Sequence, residues 1–300
     1  MTLRSTLGQI KRDLLPSKST WTDDRRAKAA MDQYEMAHGY RFDIKHPTHF
    51  TEKVVCYKLF YQRDDLVRVV DKYLFKDYIR EKLGDGYTIP LIGAWENIED
   101  FARDWDSLPE EFCLKSTLMS DGRCIKFIHH KSQEDRDALF REVKSWLNPK
   151  NTLINSFCRA YYNAVPRVLA EEYKTEVGDQ LYDYKVFCFD GEPECFYVAT
   201  DHFPGQLSHI SFYDLDWNRL DVRYGKHPNC DVKKPRTCEE MLRISRILSK
   251  DFPFVRVDFF ETPDQLYVAE LTIYPGGGLT PIFPESYNRE LGEKFRLPEL

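Results

Sequence analysis

An α+β architecture is expected from three features of this 300-residue chain. Helix-period apolar stripes fill its first part. Short strand pairs joined by turn signals follow. Two longer apolar strand pairs come last, one around Asp190-Gly191 and one around Thr262-Pro263-Asp264-Gln265. Helices, then small α+β units, then a larger antiparallel unit is not the strand–helix alternation of a doubly wound parallel sheet.

Taken in order, Leu3, Leu7, Ile10 and Leu14 recur at helical spacing until Pro16. The segment suits a packing helix or a surface-lying membrane anchor, and its shortness favours packing. A helix is expected over 22–38. Leu66, Val69, Val70, Tyr73, Leu74, Tyr78, Ile79 and Leu83 read as one continuous helical stripe ended by Gly84. Thr88–Trp95 reads as a strand and loop. Phe112–Ser116 and Cys124–Ile128 read as partner strands around Ser120-Asp121-Gly122-Arg123. Ser132 with Asp135 resembles a capping box opening a helix to Leu147. Arg167–Tyr173 is a strand with an acidic end. Asp190-Gly191 closes a hairpin in which Cys188 and Cys195 should face each other. Thr237 with Glu240 should cap a helix to Lys250.

The final hairpin carries the chemistry. In Phe252–Gly278, alternation places Arg256 and Asp258 on one face and Val255, Val257 and Phe259 on the other. The returning strand places Glu270 and Thr272 on one face. The turn, centred near Asp264, makes Asp258 and Glu270 cross-strand neighbours within a residue of register, and directly opposed side chains have Cβ atoms about 4.5–5.5 Å apart. Two such carboxylates repel unless a cation lies between them or one is protonated, so removing one charge should relieve strain in the metal-free protein. A hard divalent ion held by one or two carboxylates and substrate phosphates is the usual Mg²⁺-nucleotide arrangement. The plainer alternative is a hairpin with polar residues on its solvated side. Three glycines after Pro275 would let backbone approach a ligand.

Elsewhere, Lys115 lies mid-strand and either points to solvent or neutralises phosphate oxygens. Glu171 and Glu172 close a strand, where chain crossing between subdomains could offer backbone groups to an adenine edge. Asp183 and Lys185 share a strand face, and Lys185 is a candidate phosphate ligand. Asp201, His202 and His209 are loop candidates for a base, although loop histidines usually have no catalytic role. There is no GxGxxG, Walker lysine loop, GxSxG or HExxH.

Net charge is −6, which argues against broad nucleic-acid binding. No apolar run approaches the about 18–20 residues needed to cross a membrane, and the N-terminus lacks a signal peptide's apolar core. The eight cysteines form no CxxC pair, which fits a reducing compartment better than a structural zinc site. A cytoplasmic location is expected, with room for peripheral contact at the inner face of the membrane.

A mid-strand lysine, a flexible turn, an acidic strand end, and then an aspartate strand paired to a glutamate strand together resemble the ATP-grasp enzymes. The family closing motif of Asp, Glu-x-Asn and Pro-Gly is matched by Asp258, Glu270-Leu271-Thr272 and Pro275-Gly276. The chain is most similar to the TupA-like ATP-grasp family of bacterial surface-polysaccharide clusters. The similarity runs from about Thr51 to the C-terminus through FTEK (50–53), VDKY (70–73), IPLIGAW, DYKVFCFDG (183–191), FYDLDWN (212–218), KDFPFVRVD (250–258) and ELTIYPGGG (270–278).

The resemblance implies an ATP-grasp fold with ATP between two α+β subdomains. Its expected partition is an N-terminal helical segment (1–62), the N-terminal part of the core (63–111), a lid (112–173) and a catalytic subdomain (174–300). Lys115 would bind phosphate, Glu171, Glu172 and Tyr173 would form the adenine-side hinge, and Asp183 and Lys185 would face ribose and phosphate. Asp258 and Glu270 would hold Mg²⁺, with Arg256 and Lys185 at the reacting phosphate or carboxylate. Residues 120–123 would be a lid that orders over bound nucleotide.

Such enzymes phosphorylate a carboxylate and let an amine displace the phosphate. Here that suggests a carbohydrate-derived carboxylate, such as a uronic acid, joined to a small amine. A kinase on the same scaffold, a non-catalytic ATP-binding capsule component and a glycosyltransferase are the competing functions. Three departures stand out. Ser116–Gly122 replaces an Asn-His-Gly-Ser-type stretch, Thr272 replaces the usual metal-ligating asparagine, and His202 stands where arginine is more usual.

Overall fold

The computed structural model describes residues 22–119, 124–151, 157–174, 182–200 and 207–298. The 3–14 stripe, the 120–123 turn, Asp201 and His202 lie outside these residues. Four helices open the described chain: α1 (Asp23–His38), α2 (Phe50–Phe60), α3 (Leu66–Val70) and α4 (Leu74–Leu83). Thr22 caps α1 by accepting from the Arg25 amide, and Gly39 at φ 80° ends it. Most of α2 is buried, and its polar residues Thr51, Glu52 and Lys58 are buried along with its apolar ones.

The 66–83 stripe is two helices rather than one. Asp71 breaks it, because its buried carboxylate accepts from the amides of Tyr73 (2.8 Å) and Leu74 (3.3 Å) and so caps α4. Arg167 pairs with the same carboxylate at 3.3 Å. Apolar periodicity runs through such a break unchanged, so the stripe alone concealed it.

A four-stranded antiparallel sheet follows, built from β1 (Leu91–Trp95), β2 (Phe112–Ser116), β3 (Ile125–Ile128) and β4 (Val168–Glu171) in the order β1-β4-β2-β3. Helices α5 (Ile98–Asp104) and α6 (Arg136–Trp146) complete its core with Trp95, Phe101, Phe112, Leu114, Leu139 and Trp146. The boundary at 112 read from the sequence falls inside this unit, since β1 and α5 share its sheet and core. Asp135, rather than Ser132, caps α6, accepting from the Ala138 amide at 3.0 Å. Ser132 instead donates to Glu110.

The larger unit contains β5 (Tyr182–Phe189), β6 (Glu192–Thr200), β7 (His209–Tyr213) and β8 (Arg219–Leu220). A short strand β9 (Arg223–Tyr224) and helix α7 (Cys238–Ser249) come next. They are followed by β10 (Phe254–Glu261), β11 (Leu266–Thr272), β12 (Ile282–Phe283) and α8 (Glu285–Lys294). Six strands pair in the order β11-β10-β5-β6-β7-β8, while β9 pairs with β12. Helix α2 packs into this unit through Phe50, whose ring centre lies 5.0–6.1 Å from those of Phe187, Phe189, Phe254 and Phe295. Each buried phenylalanine contributes about 1.5–3 kcal/mol.

Cys188 and Cys195 do not face each other. A bulge sets Cys188 opposite Pro193 and Cys195 opposite Phe187, and both thiols are free. Thr237 gives α7 no side-chain cap; its amide and hydroxyl donate to Glu261 instead. Among the described residues no helix is long and apolar enough to cross a membrane.

The glycines after Pro275 serve packing within the protein. Gly276, Gly277 and Gly278 all have positive φ (56°, 60° and 76°). A Cβ on Gly278 would lie 2.5 Å from the Thr51 carbonyl oxygen of α2, and one on Gly276 would lie 2.6 Å from the Tyr224 hydroxyl. Backbone does approach closely here, but it approaches α2 and β9. Lys58 donates to the Gly277 carbonyl at 2.7 Å, closing the same contact.

Candidate active site

Strand β10 pairs with β11 so that Asp258 lies directly opposite Glu270 and Arg256 opposite Thr272. On its other side β10 pairs with β5, setting Asp258 opposite Lys185. Alternation then brings Arg256, Asp258, Lys185, Asp183, Glu270 and Thr272 to one end of one sheet.

Protein cations already balance the two carboxylates. The Arg256 guanidinium donates to both Asp258 oxygens, from Nε at 2.7 Å and from Nη2 at 2.5 Å. It also donates to Thr272 Oγ1 at 2.9 Å. Lys185 Nζ lies 3.3 Å from Asp258 and 3.1 Å from Asp183. Lys72 Nζ lies 3.5 Å from Glu270 and donates to the Met119 carbonyl at 2.9 Å. The repulsion expected from the sequence is therefore relieved by arginine and lysine side chains. Burial pushes Glu270 toward its neutral form, but Lys72, Arg256 and Lys185 outweigh it and hold the carboxyl below its usual range. For Lys185 burial opposes the charge, while Asp183 and Asp258 more than restore it.

A second cluster sits on the four-stranded sheet. Glu171 pairs through one oxygen with Lys115 and through the other with Lys76 of α4, the latter at 2.5 Å. The β2–β4 register makes Lys115 and Glu171 diagonal neighbours on one face, away from the Leu114 core side. Burial disfavours the Glu171 charge, yet Lys115 and Lys76 hold its carboxyl low. Burial likewise disfavours the Lys115 charge, and Glu171 outweighs it, with Glu270 adding to the effect.

Glu171 turns its carboxylate to lysines rather than outward, and the Glu172 amide donates to the Pro90 carbonyl at 3.0 Å. The Glu172 side chain pairs with Lys174 at 2.6 Å. The Tyr173 ring packs against Phe127 and His129. His209 lies at the start of β7, which is separated from β10 by β5 and β6.

Lys72 and Lys76 were not singled out from the sequence. Their signal is positional: Lys72 follows the stripe-breaking Asp71, and Lys76 falls on the stripe between Tyr73 and Ile79.

Two opposed carboxylates offer the hard oxygen donors that Mg²⁺ takes alongside phosphate oxygens, so the donor set suits that ion. Among the described residues no group of three or more His, Cys, Asp or Glu could hold a metal alone. Arg256 and Lys185 hold the Asp258 oxygens an ion would share.

The family model described as TupA-like ATPgrasp matches residues 52–296. The chain belongs to the TupA-like ATP-grasp family. Its α+β architecture is the ATP-grasp fold. Similar solved structures include D-alanine–D-alanine ligase from Helicobacter pylori. That ligase is 17% identical, with 77% of this chain and 61% of that chain covered and a TM-score of 0.43. The Bacillus anthracis D-alanine–D-alanine ligase complexed with ATP is 16% identical, with 69% and 56% covered and a TM-score of 0.41. N5-carboxyaminoimidazole synthetase from Staphylococcus aureus complexed with ADP is 15% identical, with 69% and 45% covered and a TM-score of 0.42. The chain therefore spans less than two thirds of each. No curated protein matches the sequence.

Proposed function

We propose that this protein is an ATP-dependent carboxylate–amine ligase whose acceptor is a carbohydrate-derived carboxylate of a bacterial surface polysaccharide or its precursor. The supporting observation is the convergence of Lys72, Lys185 and Arg256 on the Asp258–Glu270 pair. Such a set can receive a polyphosphate and spread its charge.

In this reading Lys115 and Lys185 bind phosphate oxygens, and Asp183 faces the ribose side. The stretch Glu171–Tyr173 borders the base, which would meet it through Tyr173 because the Glu172 amide is engaged. Asp258 and Glu270 would hold Mg²⁺, which would supply charge neutralisation at the transferring phosphoryl group. Arg256, released from Asp258, would orient the attacking carboxylate against the γ-phosphorus. A carboxylate oxygen forms a bond to that phosphorus as the bond to ADP breaks, giving an acyl phosphate. An amine nitrogen then bonds to the acyl carbon, phosphate leaves and the nitrogen loses a proton, giving an amide. The partition into a helical segment (1–62), core (63–111), lid (112–173) and catalytic subdomain (174–300) belongs to the same reading, with residues from 91 onward joining the lid sheet.

The test is a screen of uronic acids against small amines with Mg²⁺ and ATP. ADP release that requires both partners, with a product of amide mass, supports the ligase. ADP release without amine, with a phosphate ester as product, makes the protein a kinase and refutes this reading.

A further inference from the structure

Glu171 is enclosed between two lysines that come from different parts of the fold. Lys115 reaches it from β2 and Lys76 from α4, and the three side chains are mostly buried, with 21%, 13% and 6% of Lys115, Lys76 and Glu171 exposed. Lys76 also donates to the Ile89 carbonyl at 2.5 Å, just before β1, so its head group is held by two acceptors. Neither Lys76 nor the Glu171 carboxylate has a part in the proposed chemistry.

The charge count gives them one. Two ammonium groups and one carboxylate leave the cluster with a surplus of one positive charge. If Lys76 were absent, Glu171 would form a closed pair with Lys115. A buried pair in low dielectric is held tightly, and little charge would remain for a ligand. With Lys76 present, each lysine spends only part of its attraction on the shared carboxylate. We infer that Lys76 is a positioning residue: by sharing Glu171 it leaves Lys115 aimed at, and charged for, a nucleotide phosphate.

The inference rests on the proposed placement of Lys115 at the phosphates. The test measures dissociation constants for a non-hydrolysable ATP analogue with Mg²⁺ and, separately, for adenosine, which carries no phosphate. Lys76→Met should weaken the analogue roughly tenfold, equal to about 1.4 kcal/mol, and leave adenosine unchanged. Lys76→Arg should bind nearly as the wild type does. Combining Lys76→Met with Glu171→Gln removes both charges, restores the single surplus on Lys115 and should recover most of the affinity. That neutral pair also keeps the test usable if Lys76→Met alone folds poorly. Wild-type analogue affinity in Lys76→Met overturns the inference, provided Lys115→Ala is impaired. So does a double variant that binds no better than Lys76→Met. If Lys115→Ala itself binds the analogue normally, the phosphate reading of Lys115 is wrong and the inference falls with it.

Discussion

Asp258→Asn is expected to destabilise the protein, the opposite sign from repulsion between two bare carboxylates. In the folded chain Asp258 is 4% exposed and receives two hydrogen bonds from Arg256 and an ion pair from Lys185. Removing one partner of a buried pair typically costs about 3–5 kcal/mol, because the remaining charge is left uncompensated. Two contacts soften that loss here: Arg256 keeps Thr272 Oγ1, and Lys185 keeps Asp183. The net cost should therefore be about 2–3 kcal/mol. For a unit of this size that is a fall in Tm of roughly 5–10 °C. Thermal and urea unfolding at pH 7 without nucleotide or metal measure it. An Asp258→Asn protein as stable as the wild type, or more stable, would show that Arg256 and Lys185 do not neutralise Asp258 as described.

Lys115→Ala should weaken binding of a non-hydrolysable ATP analogue by at least about tenfold in titration calorimetry, whereas a merely solvated lysine would leave binding unchanged and stability within about 0.5 kcal/mol. Asp258→Asn and Glu270→Gln should each abolish Mg-ATP turnover in protein whose circular dichroism shows it still folded; near-normal ADP release in either removes that residue from the metal site. Gly278→Ala should destabilise by about 1–3 kcal/mol in a thermal melt, since it combines positive φ with a Cβ placed against the Thr51 carbonyl. Acid should also destabilise the fold. Glu171 and Glu270 are held below the ordinary glutamate value of 4.5. The folded state thus binds fewer protons than the unfolded state, and the stability they contribute above that value is lost as pH falls through their folded pKa. Urea midpoints measured from pH 6 downward should fall, and Glu171→Gln should flatten the slope; an unchanged slope in that variant would rule Glu171 out as a contributor.

The final hairpin was largely legible because its face alternation and turn chemistry follow from a period of two, which places Asp258 and Glu270 within a residue of register. Their direct pairing depends on a β-bulge between Asp258 and Phe259 that shifts the register set by Glu261 and Leu266, and alternation alone does not show it. What periodicity could not show was which charges arrive from elsewhere. Lys185 comes from the adjacent strand, but Lys72 comes from a helix break and Lys76 from a helix more than 90 residues upstream of Glu171 in sequence. Their meeting depends on how α3 and α4, whose apolar faces join the larger core, turn Lys72 toward Glu270 and Lys76 toward Glu171. The same limit explains the Asp71 break, where a buried side-chain cap interrupts a stripe whose apolar spacing continues unbroken. It also explains the glycines after Pro275: a close backbone approach was legible, but the neighbour they approach, α2, is fixed only by tertiary packing.

The central claim is that a carboxylate oxygen attacks ATP on the way to an amide. It is tested most directly by labelling the acceptor carboxylate with ¹⁸O and following the label in a complete reaction with amine, Mg²⁺ and ATP. The account predicts one ¹⁸O atom in the inorganic phosphate released per amide formed, because the carboxylate oxygen leaves with the phosphate. Unlabelled phosphate alongside amide, or the phosphoryl group retained on a sugar hydroxyl, would contradict it.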